Sequence, residues 1–318
     1  HRPLCLTDAQ RERLIVGPDH QPRERFAALA SVVPPEQLIV HPAMVGGDFG
    51  GKGDFMDVPV AYFLSKKSRR PVKIVMDYDE ELAAGDPRHG AIIKVRTGVK
   101  KDGAIVAHHM DLIFDSGAYG AFKPRGFLPG TPESAGPYRM ANVLIEEKCV
   151  YTNKIPCGHM RAPGDAQGFF ANESQMDLVA NKIGMSPLKF RLKNLMRSGD
   201  ISPTGHLLEY IEAARTLNKA IQLSGYSERK PKYVGRGMSL VQWHTMGGEC
   251  AVSITVDRQG AITVASTVLD QGAGTYTIMR QIVAEELQLP VDKIAVRTLD
   301  TTTSPSDIGV GGSRATRV

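Results

Sequence analysis

Four stretches of this chain are too rich in glycine and small residues to propagate a helix or a strand. They are GGDFGGKG (46–53), RAPGDAQ (161–167), DQGAGT (270–275) and GVGGSR (309–314). The apolar runs between them must therefore supply the fold, and the loops must serve whatever needs bare backbone. The first follows QLIVH (37–41) and reads G-x-x-x-x-G-K from Gly46 to Lys52. A phosphate-binding P-loop would place Ser or Thr next, to hold magnesium, but the residue is Gly53. Without that hydroxyl, nucleotide hydrolysis is not the expected chemistry. Two of the loops lead into helices, at Gly164-Asp165 and Gly274-Thr275. A helix N-terminus offers unpaired N–H groups to an anion, and glycine lets a ligand come close to those groups.

Between the loops the pattern is mixed. Arg23–Val33, Asp57–Ser68, Asp165–Gly184, Leu207–Gly225 and the run after Gly274 have helical spacing, and Ser186-Pro187 opens another helix. Asp165 is the expected N-cap of its helix. QLIVH and PVKIVMDYD (71–79) read as strands, as does NVLIEEKCVYTN (142–153). AIIKVRTGVKKDGAIVAHHMDLIFDSGAY (91–119) reads as a hairpin turning at Asp102-Gly103, and a second hairpin turns at Asp257–Gly260. His108 and His109 lie side by side in a strand, so they point to opposite faces and are read as structural. His41 is likewise read as a strand residue. Pro34, Leu38 and Val40 precede one glycine loop with the same spacing as Pro290, Ile294 and Val296 precede another. That echo is consistent with two related α/β domains.

A chain of 318 residues fits two domains or one large one. The charged, apolar-poor stretch YSERKPKYVG (226–235) places a boundary near Ser227–Val234. The expected domains are 1–230, N-terminally incomplete, and 231–318, C-terminally truncated, because the chain starts at His1 and stops inside a glycine loop. The net charge of +5 is too mild for a nucleic-acid footprint. No apolar run approaches the length of a membrane span, and no signal peptide opens the chain, so the expected location is cytoplasmic. Cys5, Cys149, Cys157 and Cys250 form no zinc or iron–sulfur spacing and are read as core or surface thiols. No G-x-S-x-G, H-E-x-x-H or complete Walker motif is present. Residue by residue, the chain reads as an α/β protein that holds an anionic cofactor through backbone loops.

GGDFGGKG resembles the G-G-x-F-G-G-K loop of the molybdenum hydroxylases, the family of xanthine dehydrogenase and aldehyde oxidase. The run from Tyr151 to Leu195 resembles that family's second signature, with Tyr151, Met160-Arg161, Gln167, Glu173, Met176-Asp177, Gly184, Pro187, Arg191 and Asn194 in place. DSGAYG (115–120), GRGMS (235–239), QIVAEEL (281–287) and the terminal GGSRAT also fit. The resemblance implies an α+β (mixed α/β) molybdopterin-binding domain with twisted mixed sheets and flanking helices, followed by the start of a second related domain. It implies part of an oxidoreductase that inserts water-derived oxygen into a C–H bond of an aldehyde or N-heterocycle. The alternative is a cofactor-free binding or assembly module that keeps the fold.

The implied cofactor is molybdopterin with molybdenum, often in the cytosine dinucleotide form in bacterial members. Iron–sulfur clusters and FAD are expected on partner chains or domains, beside the remainder of the molybdenum subunit. Carried over, Gly47, Phe49, Gly50 and Arg161 lie near the metal, with backbone rather than side chain facing it at Phe49 and Arg161. Gly272, Gly274, Gly311, Gly312, Ser313 and Arg314 bind the cofactor. Three positions depart from the pattern. Ala273 replaces the glutamine of a family G-Q-G. Gly53 stands where purine-oxidising members carry a substrate-binding Glu, and Ala162 stands where carbon monoxide dehydrogenases carry Cys. The family's general-base Glu is expected outside this chain, so no catalytic residue is assigned and the fragment alone is expected to be inactive.

Overall fold

The structure is a computed structural model. It describes residues 5–7, 13–16, 33, 39–52, 58–119, 128–243, 250–300, 302–303 and 311–315. The expected helix at 23–33 and Gly53 lie outside the described residues, apart from Val33. The chain forms two compact units that alternate along the sequence. One comprises residues 1–87, 158–161 and 244–318, and the other residues 88–157 and 162–243.

The first unit builds the same small sheet twice. Strand β1 (Cys5–Thr7) pairs antiparallel with β2 (Arg13–Val16), and β3 (Ile39–Pro42) joins β2 in parallel. Far along the chain, β7 (Ser253–Val256) pairs antiparallel with β8 (Ile262–Ser266), and β9 (Ile294–Thr298) joins β8 in parallel. The sequence echo thus has a structural counterpart, since Val40 lies opposite Leu14 and Val296 opposite Val264 in the parallel strands. A parallel connection needs a crossover. Between β8 and β9 it is α6 (Thr275–Glu286), whose Val283 and Ala284 pack with Ile262, Val264 and Ile294. Helix α1 (Val58–Ser68) belongs to the same unit and buries Val58, Ala61 and Tyr62.

PVKIVMDYD is not a strand. Residues 71–77 pair with no sheet, and helix α2 (Tyr78–Ala84) begins at the end of the run. Local hydrogen bonding overrides the apolar pattern there. Asp77 accepts from the Glu80 amide at 2.8 Å, and Glu80 reaches back to the Asp77 amide at 2.9 Å, a complete capping box.

The second unit repeats the sheet pattern at larger scale. Strand β4 (Gly90–Val99) pairs antiparallel with β5 (Ile105–Asp115), and β6 (Val143–Val150) runs parallel to β5. Gly103 makes the hairpin turn in the left-handed region at φ +86°. On β5 alternate residues face inward, so Met110, Leu112 and Phe114 are fully buried together with Leu128. His108 is buried on that strand, whereas His109 on the opposite face pairs with Glu146 at 2.8 Å. Burial lowers the His108 pKa to about 4, so it stays neutral.

Three helices complete this unit: α3 (Asp165–Lys182), α4 (Pro187–Asn194) and α5 (Ala213–Ser224). Ser186 caps α4 by accepting from Lys189. The cap of α3 is Gly164, not Asp165. Asp165 is the first helical residue. Helix α5 starts later than its apolar spacing implied, and Gly225 ends it in the left-handed conformation. Met176, Ala180, Phe190, Leu195 and Leu217 form the core between the helices, with Ile105 and Tyr138.

The second family signature builds this core. The Arg191 guanidinium, 0% exposed, donates to Glu173 at 2.9 Å and to Asp177 at 2.5 Å. Glu173 also accepts from the Tyr138 hydroxyl at 2.6 Å and the Leu240 amide at 2.9 Å. Asn194 donates to Gly103 and Phe190 carbonyls at 2.9 Å each and accepts from the Ile105 amide at 3.0 Å, which locks the β4–β5 turn. A buried charge is tolerable only with such partners. These signature residues are scaffold.

Candidate cofactor site

All ten residues that the sequence nominates for the cofactor fall in the first compact unit, including Arg161, which comes from the short insert 158–161. Strand β3 delivers the chain into the first glycine loop. There Asp48, 6% exposed, folds back on its own segment. Its Oδ2 accepts from the Gly50 amide at 2.8 Å, and its carbonyl accepts from the Gly51 amide at 2.9 Å. Lys52 reaches the Gly46 carbonyl with its Nζ at 2.5 Å. The turn forces Phe49 to φ +52°, yet its ring is 58% exposed. An aromatic side chain in the left-handed region and in solvent costs about 1–2 kcal/mol.

The second loop lies directly on the first. The Arg161 amide donates to the Phe49 carbonyl at 2.7 Å. A Cβ on Gly50 would meet the His159 Cβ at 3.3 Å, and one on Gly51 would meet the Met160 Cε at 3.4 Å. Gly50 is also at φ +90°. Gly50 keeps its side chain off so that the second loop can approach, whereas the flexible end of Met160 can yield to a Cβ on Gly51. Gly46 and Gly47 are different, because a Cβ on Gly46 would meet nothing within 4 Å and one on Gly47 only the Phe49 ring, at 3.7 Å. Ala162, the residue after Arg161, is likewise left-handed at φ +58°.

The third loop leads into α6 with Gly274 as its cap. Gly272 and Gly274 are left-handed at φ +95° and +77°, and a Cβ on either would meet nothing within 4 Å. Their amides donate to the Asp270 Oδ1 at 2.9 and 3.2 Å. As in the first loop, an aspartate holds the turn by engaging the glycine amides. Gly311, Gly312, Ser313 and Arg314 form a run of turns in which Gly312 and Ser313 are left-handed. The structure brings Phe49, Gly50 and Arg161 into direct contact, while the other candidates stand in two further loops of the same unit. His41, near the end of β3, pairs with Asp300, just after β9, at 3.4 Å.

Sequence reasoning missed two groups beside these loops. The Gln271 Nε2 and the Thr275 Oγ1 are buried without a hydrogen-bond partner among the described residues, and Thr275 is 2% exposed. A buried unpaired polar group costs about 1–3 kcal/mol. The signal available in the sequence was only that both flank the glycines. Two donors beside bare left-handed glycines fit a group that carries acceptor oxygens. Among the described residues no cluster of three or more His, Cys, Asp or Glu side chains could hold a metal ion. The described residues suit a metal that arrives within its own organic ligand. Cys157 is buried, Cys149 half-buried and Cys250 exposed, all as free thiols; the side chain of Cys5 lies outside the described residues.

The second unit contributes a cleft of about 500 Å³ between α3 and residues 238–243. Ala162, Asp165, Phe170, Val241, Gln242 and Trp243 are among its walls. Asp165 is 3% exposed, and burial together with the nearby Glu133 raises its pKa to about 7. Its carboxyl lies over Gly130, where a Cβ would overlap it.

Two family models cover nearly all of the chain. Each is described as a molybdopterin cofactor-binding domain, one matching residues 20–195 and the other 210–318. The chain belongs to the molybdenum hydroxylase family. Among family members it is 30% identical over 319 aligned positions to a probable xanthine dehydrogenase subunit of Bacillus subtilis (strain 168), covering 95% of this chain and 42% of that protein. It is 31% identical over 218 positions to the nicotinate dehydrogenase large molybdopterin subunit of Eubacterium barkeri, covering 66% of this chain and 51% of that one. The fold matches the crystal structure of quinoline 2-oxidoreductase from Pseudomonas putida 86 with a TM-score of 0.88, at 23% identity over 99% of this chain and 44% of that chain. The chain thus spans about half or less of these molybdenum hydroxylases. The α+β class expected for the family is the fold observed. No described helix is long and apolar enough to cross a membrane.

Proposed function

We propose that this chain is the molybdopterin-holding part of a molybdenum hydroxylase that oxidises a C–H bond of an aldehyde or N-heterocycle with oxygen derived from water. The observation that carries the reading is the joint between the first two loops. The Arg161 amide closes on the Phe49 carbonyl beside open glycine backbone, and the Phe49 ring stays exposed in a strained conformation. When bound, the molybdenum cofactor supplies the redox and oxygen-insertion chemistry. The residues of the chain hold and orient it. Gly47, Phe49, Gly50 and Arg161 face the metal end. Gly272, Gly274 and Gly311–Arg314 take the rest, including the phosphates of a cytosine dinucleotide form. Because Asp48 and Asp270 engage the amides of Gly50, Gly272 and Gly274, these glycines act by leaving room rather than by donating.

In the second unit the cleft walled by Phe170, Val241 and Trp243 suits a small flat substrate. Iron–sulfur and flavin centres belong on partner chains or domains in this reading. Domains 1–230 and 231–318 remain the proposed division by ancestry, and the cytoplasm the proposed location. The test is molybdenum by elemental analysis together with pterin by fluorescence after oxidative release, on protein from a host that makes the cofactor. Stoichiometric metal and pterin are expected. The engaged glycine amides and Ala273 favour a second reading, a cofactor-free assembly module, and the full-length or reassembled subunit isolated without either component would establish it in place of the first.

A further inference from the structure

The third loop raises a difficulty that its glycines do not solve. Both glycine amides already donate to Asp270, whose carboxylate would repel an anion placed on them. Two other donors of the same loop have no acceptor among the described residues: the Thr275 hydroxyl, on the first residue of the twelve-residue helix α6, and the Gln271 carboxamide four residues earlier. Other buried groups such as the Thr131 and Ser134 hydroxyls are also unpaired among the described residues, but these two donors flank glycines around which a Cβ would meet nothing within 4 Å, which leaves room for ligand oxygens. The first turn of α6 adds backbone N–H groups without intrahelical acceptors, because the first helical bond runs from Ile278 to Gly274. A hydroxyl and a carboxamide are neutral donors. They suit carbonyl, hydroxyl or phosphate-ester oxygens beside the Asp270 charge better than a free anion.

We infer that Gln271 and Thr275 are binding residues for acceptor oxygens of the cofactor, in the place of glycine amides that Asp270 occupies. This rests on the reading that the chain holds molybdopterin. The test compares Thr275→Val, Thr275→Ser and Gln271→Leu in the polypeptide that carries this chain, purified from its cofactor-producing host. Two quantities are read: the rate of pterin release on dilution, and the melting temperature after the cofactor is stripped. Thr275→Val and Gln271→Leu are expected to release pterin about tenfold faster. The stripped variants are expected to melt at the wild-type temperature or about 1–4 °C above it, since an unpaired buried donor has been removed. Thr275→Ser keeps the hydroxyl and is expected to restore slow release. Wild-type release rates in the Val and Leu variants, with lowered melting temperatures, would mean that both groups serve the fold, and would overturn the inference alone. Wild-type protein that never carries pterin would overturn the cofactor reading and this inference with it.

Discussion

The glycine loops of the first unit and the Arg191 network of the second spend their polar groups in opposite ways. In the second, the longest family signature is turned inward. Arg191, Glu173, Asp177, Tyr138 and Asn194 satisfy one another and the backbone, and Arg191 has no exposed surface. In the first, the short glycine signatures leave an aromatic ring in solvent, residues in the left-handed region, and buried donors unpaired among the described residues. Two motifs of one family thus have different physical meanings. One is a scaffold whose buried charge is paired, and the other leaves Phe49 exposed and the Gln271 and Thr275 donors without partners among the described residues. A ranked set of substitutions tests that contrast.

The largest effect is expected at the scaffold. Arg191→Ala leaves Glu173 buried without its counter-charge and should destabilise the second unit by about 3–5 kcal/mol. Chemical denaturation of the purified chain reads this directly, and a loss below about 1 kcal/mol would remove the scaffold side of the comparison.

Asp165 comes next, through pH. Its folded pKa of about 7 lies above the ordinary 3.8, so the folded state holds the proton more tightly. Its contribution is complete below about pH 4 and is lost as the pH rises to about 7. Asp165→Asn should abolish that slope and be on the order of 2–4 kcal/mol more stable than wild type at pH 8. Melting curves at pH 5 and pH 8 decide it, and parallel pH dependence in the two proteins would show that Asp165 is not responsible.

Gly50→Ala should cost about 1–2 kcal/mol, from its left-handed backbone and the His159 contact. Hydrogen exchange should then rise at 158–161 as well as at the substituted loop. Exchange confined to 46–52 would break the link between the two loops.

The smallest effect has the opposite sign. Phe49→Gly relieves the left-handed strain and removes an exposed ring, so cofactor-free protein should be unchanged or more stable by up to about 1 kcal/mol. Cofactor retention should fall. A clear loss of stability would mean that Phe49 packs like a scaffold residue.

Much of this was legible in the chain itself, because it is local chemistry. The Asp102-Gly103 turn and the Ser186-Pro187 helix start each depend on a few neighbouring residues. So do the glycine loops and the opposite faces of His108 and His109. The repeat of Val40 and Val296 was visible because equal sheets need equal spacing. The misreading of PVKIVMDYD was also local, in that apolar content outweighed the Asp77–Glu80 capping box.

What the sequence determined by itself was the family, the kind of fold, and where the glycine loops fall. Tertiary structure decided which polar groups are already spoken for. No pattern shows that Arg161 closes on Phe49, that Gly50 makes room for the second loop, or that Asp270 engages two glycine amides while Gln271 and Thr275 stay unpaired among the described residues. A hydrogen bond depends on distances of about 3 Å between groups that can lie a hundred residues apart, and only the folded chain sets those.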